Sequence, residues 1–558
     1  MSREPRILGR LILGLFVLSG LSGLIYEIVW VRLLTVYVGG GAFAVSVVLT
    51  VFMGGLALGS AWAARRVDRF RHPDSLALGY GLLEAGVAVC GIAFPWAMAA
   101  LKPAYALLYR QLYRHWLWYN TAGGLLSAVL LLVPALLMGA TLPLLCRYYV
   151  TASAGIGTRT GRLYGLNTLG AAAGAFLCGF VLIRWLGVPG TLAVAVGINL
   201  AIGLLCAAVF GHREAWRSLA EVWRRPPAAA AAPQEDPRAA ERTQPPAVMP
   251  LLILAVSGFC SMGYEVIWTR LLSLLIGPTT YAFSMVLLTF ITGLALGSLL
   301  FGRLCDRLRR PLLLLLASQI GAAVFALAAS QFFGHAQLLF ARLLYAWRDR
   351  FAAGEALKAA TIFACIFPAT VCLGAVFPVC VRLCAPSADG IGRVTGRLYM
   401  WNTLGALLGS WCAGFLLLPW LGQARGVGAL VFIQMAAAAL LLATAGERRA
   451  PLQRAAAIGL AAAGIGLSVF FPRWDAAWLA RARYHRFGEI EDVLERLSPL
   501  ETLWKGQEEA AEDAPPTDYL YLADGAGGFL AVGRTVETIG VTNLFLTISG
   551  KTDASTQG

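Results

Sequence analysis

The chain has 558 residues, of which 58% are hydrophobic and only 13% charged, and its mean hydropathy is +0.70. So much apolar sequence excludes a water-soluble core wrapped in a polar surface and describes an all-α polytopic membrane protein. The formal net charge of +15 sits in short clusters between apolar runs. It therefore reads as positive-inside topology, and with no contiguous basic face a nucleic-acid partner is excluded.

The eleven cysteines fall almost entirely within apolar runs, where cysteine behaves as a small hydrophobe, so no disulfide framework is implied. Cys380 and Cys384 share a helical face without a nearby histidine, and the five histidines are scattered. No metal site is expected from these spacings.

In chain order, Arg3, Arg6 and Arg10 precede an apolar run that is too long for a signal peptide and has no small-residue cleavage site. It is read as a retained first span with a cytoplasmic N-terminus in the cell (inner) membrane. Runs long enough to cross a bilayer occur near 11–32, 40–64, 77–101, 121–146, 163–185 and 189–210. These six spans define a first half over residues 1–211. Residues 212–250, with Pro226-Pro227 and five consecutive alanines, have the composition of a flexible cytoplasmic linker. Six more runs, near 251–272, 280–301, 312–334, 359–383, 396–420 and 425–445, make a second half over 251–446.

The halves are copies. Tyr26-Glu27-x-x-Trp30-x-Arg32 and Gly55-Leu56-Ala57-Leu58-Gly59-Ser60 return as Tyr264-Glu265-x-x-Trp268-x-Arg270 and Gly293-Leu294-Ala295-Leu296-Gly297-Ser298, 238 positions on (264 − 26). Gly161-Arg162-Leu163-Tyr164 with Asn167-Thr168-Leu169-Gly170 returns as Gly396-Arg397-Leu398-Tyr399 with Asn402-Thr403-Leu404-Gly405, 235 positions on (396 − 161). An even number of helices per copy gives both halves the same topology. Glycines four apart, at 55/59, 170/174, 293/297 and 405/409, predict close helix packing.

Lys102, Arg110 and Arg114, with Tyr105, Tyr109, Tyr113, Trp116 and Trp118, suggest an amphipathic segment in the interface. A thirteenth apolar run, Ala455 to Phe471, lies within residues 447–472 and is barely long enough to span. Whether it crosses decides the side of the tail. In 473–517, Ile490, Val493, Leu494, Leu497 and Leu500 recur at helical spacing over 487–503, followed by an acidic loop. Residues 518–558 contain three short strands, at 519–522, 528–532 and 543–548, forming a small β-meander.

Two sets of residues stand out as candidates. Glu27 and Glu265 lie in apolar runs, where an ionised carboxylate is costly. One reading makes them latches near the outer ends of their helices, with Trp30 and Trp268 in an aromatic belt and Arg32 and Arg270 snorkelling. The other makes them a proton- or substrate-linked site. Glu84 is also embedded, but its counterpart is Gln319, which argues against a symmetric proton relay there. The second set comprises Arg65, Asp68 and Arg69 and their copies Arg303, Asp306 and Arg307, charge clusters in the loop after the second helix of each half.

Gly302-x-x-x-Asp306-Arg307-x-Arg309-Arg310 resembles the loop motif of the major facilitator superfamily, with Arg309 where a glycine is usual. That resemblance implies a facilitator-like fold. The Tyr-Glu-x-x-Trp-x-Arg blocks, the Gly-Leu-Ala-Leu-Gly-Ser blocks and the closing Ser549-Gly550-Lys551-Thr552-Asp553-Ala554-Ser555 together resemble the membrane-fused spermidine synthase family. The resemblance implies a polyamine aminopropyltransferase-type activity on a nucleotide-binding domain expected beyond residue 558. Catalysis would come from that domain, with decarboxylated S-adenosylmethionine as its donor, and not from this chain. Gly525-Ala526-Gly527-Gly528 is a turn rather than a nucleotide loop. Three expectations follow: the membrane portion of such a fusion, a facilitator-like carrier of polyamines or other small cations, or a scaffold on which a separate catalytic chain docks at 518–558.

Overall fold

The computed structural model describes residues 3–38, 42–224, 248–277, 280–385, 387–388, 390–444, 451–481, 490–503, 517–525, 528–536 and 542–556. Most of the linker and the acidic loop lie outside them. The first half consists of α1 (Arg3–Val38), α2 (Ala42–Ala64), α3 (Pro73–Leu112), α4 (Trp116–Tyr149), α5 (Ile156–Phe176) and α6 (Ile183–Phe210). An amphipathic helix, α7 (Arg213–Arg224), follows. The second half repeats the plan with α8 (Val248–Ile276), α9 (Thr280–Arg307), α10 (Pro311–His335), the short α11 (Gln337–Ala346), α12 (Phe351–Cys384), α13 (Ile391–Cys412) and α14 (Gly422–Thr444).

Eleven continuous helical stretches are long and apolar enough to cross a bilayer among the described residues. Two of them, 156–210 and 391–444, each hold two crossings, giving thirteen (11 + 2). Both turn back at a matched place: a π-helical stretch (Leu177–Leu182, Ala413–Leu421) leads into Gly187 (φ 66°) and Gly422 (φ 71°). A side chain at either position would oppose that left-handed backbone. Trp185 and Trp420 beside these turns are 76% and 80% exposed, as aromatic residues at a bilayer interface are.

The paired glycines bring backbones together within each half. A Cβ at Gly170 or Gly174 would strike the carbonyls of Val17 or Leu21 on α1, and at Gly405 or Gly409 those of Ala255 or Phe259 on α8. Gly55 and Gly59 meet Ala135 and Leu136 of α4, while Gly293 and Gly297 meet Thr370 and Val371 of α12. The halves themselves join through α5 against α9 and α2 against α13. There Ser298 Oγ donates to the Gly161 carbonyl at 3.3 Å, and Ser60 Oγ to the Gly396 carbonyl at 2.9 Å. The matched hydroxyls hold the two interfaces alike.

The segment carrying Tyr105, Tyr109 and Tyr113 continues α3 to Leu112 rather than forming a separate interfacial helix. The thirteenth run forms a full helix, α15 (Pro451–Phe470), antiparallel to α14: Gln453 Nε2 donates to the Leu442 carbonyl, and Gly428 lies against Ser468 at the other end. The chain after Pro472 thus emerges at the end of the bundle where α8 finishes, opposite the α2–α3 and α9–α10 loops.

The tail helix is shorter than its periodicity predicts. Among the described residues it is reduced to α17 (Glu491–Arg496) and a 3₁₀ turn at Glu501–Leu503, preceded by the short α16 (Ala476–Ala480); residues 487–489 lie outside the described residues. Pro499 lacks an amide hydrogen and drives Ser498 out of helical geometry. Ile490, Val493, Leu494 and Leu497 nonetheless bury together against Leu338 and Ala341 of α11.

A fourth strand extends the meander beyond the three expected: β1 (Thr517–Gly525), β2 (Gly528–Val536), β3 (Thr542–Ile548) and β4 (Lys551–Ser555) pair antiparallel in that order. Ser549 (φ 50°) and Gly550 (φ 80°) make the β3–β4 turn. Phe529 and Ala531 of β2 enter the core of the second half. That anchorage supports a sheet too small to stand alone.

Candidate functional site

A cavity of about 230 Å³ lies between the halves and is lined by α1, α2, α4 and α5 and by their copies α8, α9, α12 and α13. Its wall is built from matched pairs: Glu27 and Glu265, Phe52 and Phe290, Tyr164 and Tyr399, Asn167 and Asn402, Thr168 and Thr403. Apart from the two carboxyl groups the lining holds no charged side chain. Tyr164, Tyr399 and Phe377 close the end facing the charge clusters, with ring centroids 4.7 to 6.4 Å apart. Glu27 and Glu265 stand toward the other end.

The depth of these carboxylates differs from the latch expectation. α1 and α8 run on to Val38 and Ile276, eleven residues past each glutamate (38 − 27, 276 − 265), or about 16 Å at 1.5 Å per residue. Both glutamates are 5% exposed, and Glu265 lies within Coulombic range of Glu27. Among the described residues neither carboxylate has a hydrogen-bond or ion-pair partner.

The tryptophans also depart from the aromatic-belt expectation. Trp30 and Trp268 are fully buried, stacked on Tyr26 and Tyr264 at centroid distances of 5.1 and 5.5 Å, and Trp268 Nε1 donates to Ser330 Oγ at 2.8 Å. Each sits one helical turn after a glutamate and packs behind it. The arginines of the motif diverge: Arg32 is exposed, whereas Arg270 is 5% exposed beneath the sheet and attracted to Asp524. Asp524 also accepts from Gln423 Nε2 at 3.1 Å. Burial raises the Asp524 carboxyl above the usual carboxylate range, while Gln423 and Arg270 oppose that shift.

The charge clusters hold the opposite end together across the halves. Asp306 accepts from the amides of Gly157 (3.2 Å) and Thr158 (2.6 Å) and from Thr158 Oγ1 (2.7 Å), capping α5 where the helix dipole favours a negative charge. Arg382 Nε lies 3.3 Å from the same carboxylate. In the copy, Asp68 pairs with Arg393 of α13 at 2.6 Å. Arg65, Arg303 and Arg307 are exposed and Arg69 half-buried. The pairing arginines, Arg382 and Arg393, were not singled out by the sequence because their partners are set by helix packing, within the second half for Arg382 and between the halves for Arg393.

One further cluster is assembled only by folding. His72, Asp74 and His212 each place a possible metal-ligand atom within 4.8 Å of the others. Their present contacts are structural: His72 Nδ1 accepts from the Asp74 amide, His212 Nδ1 accepts from the Ala215 amide, and His212 Nε2 lies 2.9 Å from Asp74 Oδ2. The imidazoles thereby cap α3 and α7 and tie them together. No metal is required for that arrangement.

No protein-family model matches the chain, and no curated protein sequence matches it. Solved structures do resemble it. A bacterial homologue of the iron transporter ferroportin in an outward-facing state has 15% identity and a TM-score of 0.44, covering 81% of this chain and 99% of its own. The major facilitator proton:xylose symporter XylE, bound to 6-bromo-6-deoxy-D-glucose, has 15% identity and a TM-score of 0.46, covering 76% and 94%. The human organic anion transporter MFSD10 has 13% identity and a TM-score of 0.40, covering 79% and 100%. What those proteins carry is a property of those proteins. This chain is a multi-pass membrane protein of repeated six-plus-six helical architecture with a small C-terminal sheet.

Proposed function

We propose that the protein is a facilitator-type carrier of a small organic cation, with an amine such as a polyamine held between Glu27 and Glu265. The observation that carries this reading is the pair of matched, buried, unpartnered carboxylates facing an otherwise uncharged cavity between the halves. Leaving two carboxyl groups there without cationic side chains is costly unless a ligand supplies the charge. An amine donates hydrogen bonds to both carboxylates, and the flanking aromatic faces favour cations. Binding from either half in turn is what a two-fold site at a repeat interface permits.

The test is uptake of labelled putrescine into proteoliposomes. Saturable uptake that falls at least a hundredfold in the Glu27→Gln, Glu265→Gln double variant supports the proposal. Uptake unaffected by the double substitution, or no uptake of any amine by the wild type, overturns it.

A second reading draws on the sheet. The four antiparallel strands ending at Lys551–Ser555 fit the small β-domain implied by the resemblance to membrane-fused spermidine synthases. In that reading a catalytic domain using decarboxylated S-adenosylmethionine adjoins residues 518–558, and the membrane region delivers or removes its amine. Co-purification of aminopropyltransferase activity with the chain, lost on deletion of 517–556, is its expected signature.

A further inference from the structure

The cavity is two-fold in plan, yet the layer behind it is not. In the second half, behind Glu265, a neutral chain runs through the helices: Tyr264 Oη donates to Gln434 Oε1 at 3.0 Å, and Gln434 Nε2 donates to Gln319 Oε1 at 3.4 Å. At the matched places the first half has Tyr26, Asn199 and Glu84. Asn199 is one methylene shorter than Gln434, and the chain is broken: among the described residues Tyr26 Oη and Asn199 Oδ1 are buried without a hydrogen-bond partner.

Glu84, 1% exposed, accepts from Ser19 Oγ at 2.6 Å, and Ser19 is itself part of the cavity wall. Tyr80 Oη donates to the Leu15 carbonyl at 3.2 Å and lies beside the same carboxyl group. The titratable groups around it are Tyr26 on α1, Tyr80 on α3 itself and Cys206 on α6. No lysine, arginine or second carboxylate among the described residues acts on it. In the second half the positions of Tyr80 and Cys206 are taken by Leu315 and Leu441, so Glu84, Tyr80 and Cys206 belong to the first half alone, while Ser19 and Tyr26 recur as Ser257 and Tyr264.

We propose that Glu84, reached from the central cavity through Ser19, is a proton-binding site that couples proton movement to transport. The step is a relay. The Ser19 hydroxyl passes its proton to Glu84 as it takes one from hydronium in the cavity, which is left as water, so that one proton enters the protein and one carboxylate becomes a neutral acid. Ser19 is regenerated unchanged. Reversal of the same step from the other orientation of the cavity returns the proton to the far side. A charge on Glu84 is costly in this layer, and its neutralisation biases α1 against α3. α1 carries both Ser19 and Glu27, which gives the proton and the substrate a common element.

The coupling rests on the carrier reading above; the proton site does not, and two measurements separate them. In proteoliposomes, Glu84→Gln should retain exchange of labelled putrescine across the membrane and lose its accumulation under an imposed pH gradient. The substitution installs the residue that the second half already tolerates at Gln319. Accumulation equal to wild type overturns the coupling. The second measurement needs no substrate. In the Glu27→Gln, Glu265→Gln background, difference infrared spectra across pH should show the carbonyl band of a buried carboxylic acid that titrates, shifts in Ser19→Ala and vanishes in Glu84→Gln. A band that survives Glu84→Gln, or no such band in the background variant, overturns the proton site whether or not the wild type moves an amine.

Discussion

The two halves are built alike where backbones touch and differ where chemistry is added. The glycine pairs, the left-handed turns at Gly187 and Gly422, the serine bonds of Ser60 and Ser298 and the cavity lining all recur at matched positions. Places that do not match include Glu84 against Gln319, exposed Arg32 against buried Arg270, and the Asp68–Arg393 pair against the Asp306 cap. The scaffold and the cavity are thus shared, while the extra buried acid proposed to bind a proton belongs to the first half and anchorage of the sheet to the second.

The shared scaffold should fail equally in both halves. Gly174→Leu and Gly409→Leu each push a side chain into a backbone carbonyl of the partner helix, and each should cost about 3 kcal/mol, the upper part of the overpacking range. Thermal unfolding in detergent should show similar losses for the two; a large loss in only one would break the symmetry.

The arginines should separate the halves. Arg270→Ala leaves Asp524 buried without its counter-charge and should weaken sheet docking by about 2 kcal/mol at neutral pH, less than for a fixed buried pair because Asp524 can take up a proton. Arg32→Ala, at an exposed site, should leave docking unchanged. Protease resistance of residues 517–556 reads both. Because the Asp524 carboxyl is raised in the docked state, that state binds its proton more tightly than the released strand. Docking is therefore fully supported in acid and weakens as pH rises from the ordinary carboxylate range through the raised value. Asp524→Asn should abolish that dependence.

The sequence disclosed the duplication, the spans and the glycine contacts because those are local patterns of hydrophobicity and small residues. It also pointed to Glu27 and Glu265. Their place on one cavity wall depended on how far α1 and α8 continue, which apolar windows ending at 32 and 272 did not capture. Arg382, Arg393 and the His72–Asp74–His212 cluster could not be read, since each joins residues far apart in sequence across a helix interface. The buried tryptophans show the limit of a one-dimensional rule. An aromatic near a helix end is an interfacial anchor only if its face meets lipid, as at Trp185 and Trp420, and Trp30 and Trp268 turn inward.

Smaller effects sharpen the comparison further. Glu27→Gln and Glu265→Gln alone should each weaken amine binding by about 1.5 kcal/mol, roughly tenfold, the scale of one charged hydrogen bond. Asp306→Asn should destabilise the closed end by about 1 kcal/mol through the lost helix cap, and Asp68→Asn by about 0.5 kcal/mol, since its pairing with Arg393 is partly exposed. Cross-linking between α5 and α9, and between α2 and α13, would rank them.

The central claim, a cation site shared by the two halves, is tested most directly by calorimetric binding of putrescine to the purified wild type and the Glu27→Gln, Glu265→Gln variant. One amine bound per chain by the wild type, with binding lost in the variant, is the predicted result. Equal binding by both proteins, or none by the wild type, would contradict it.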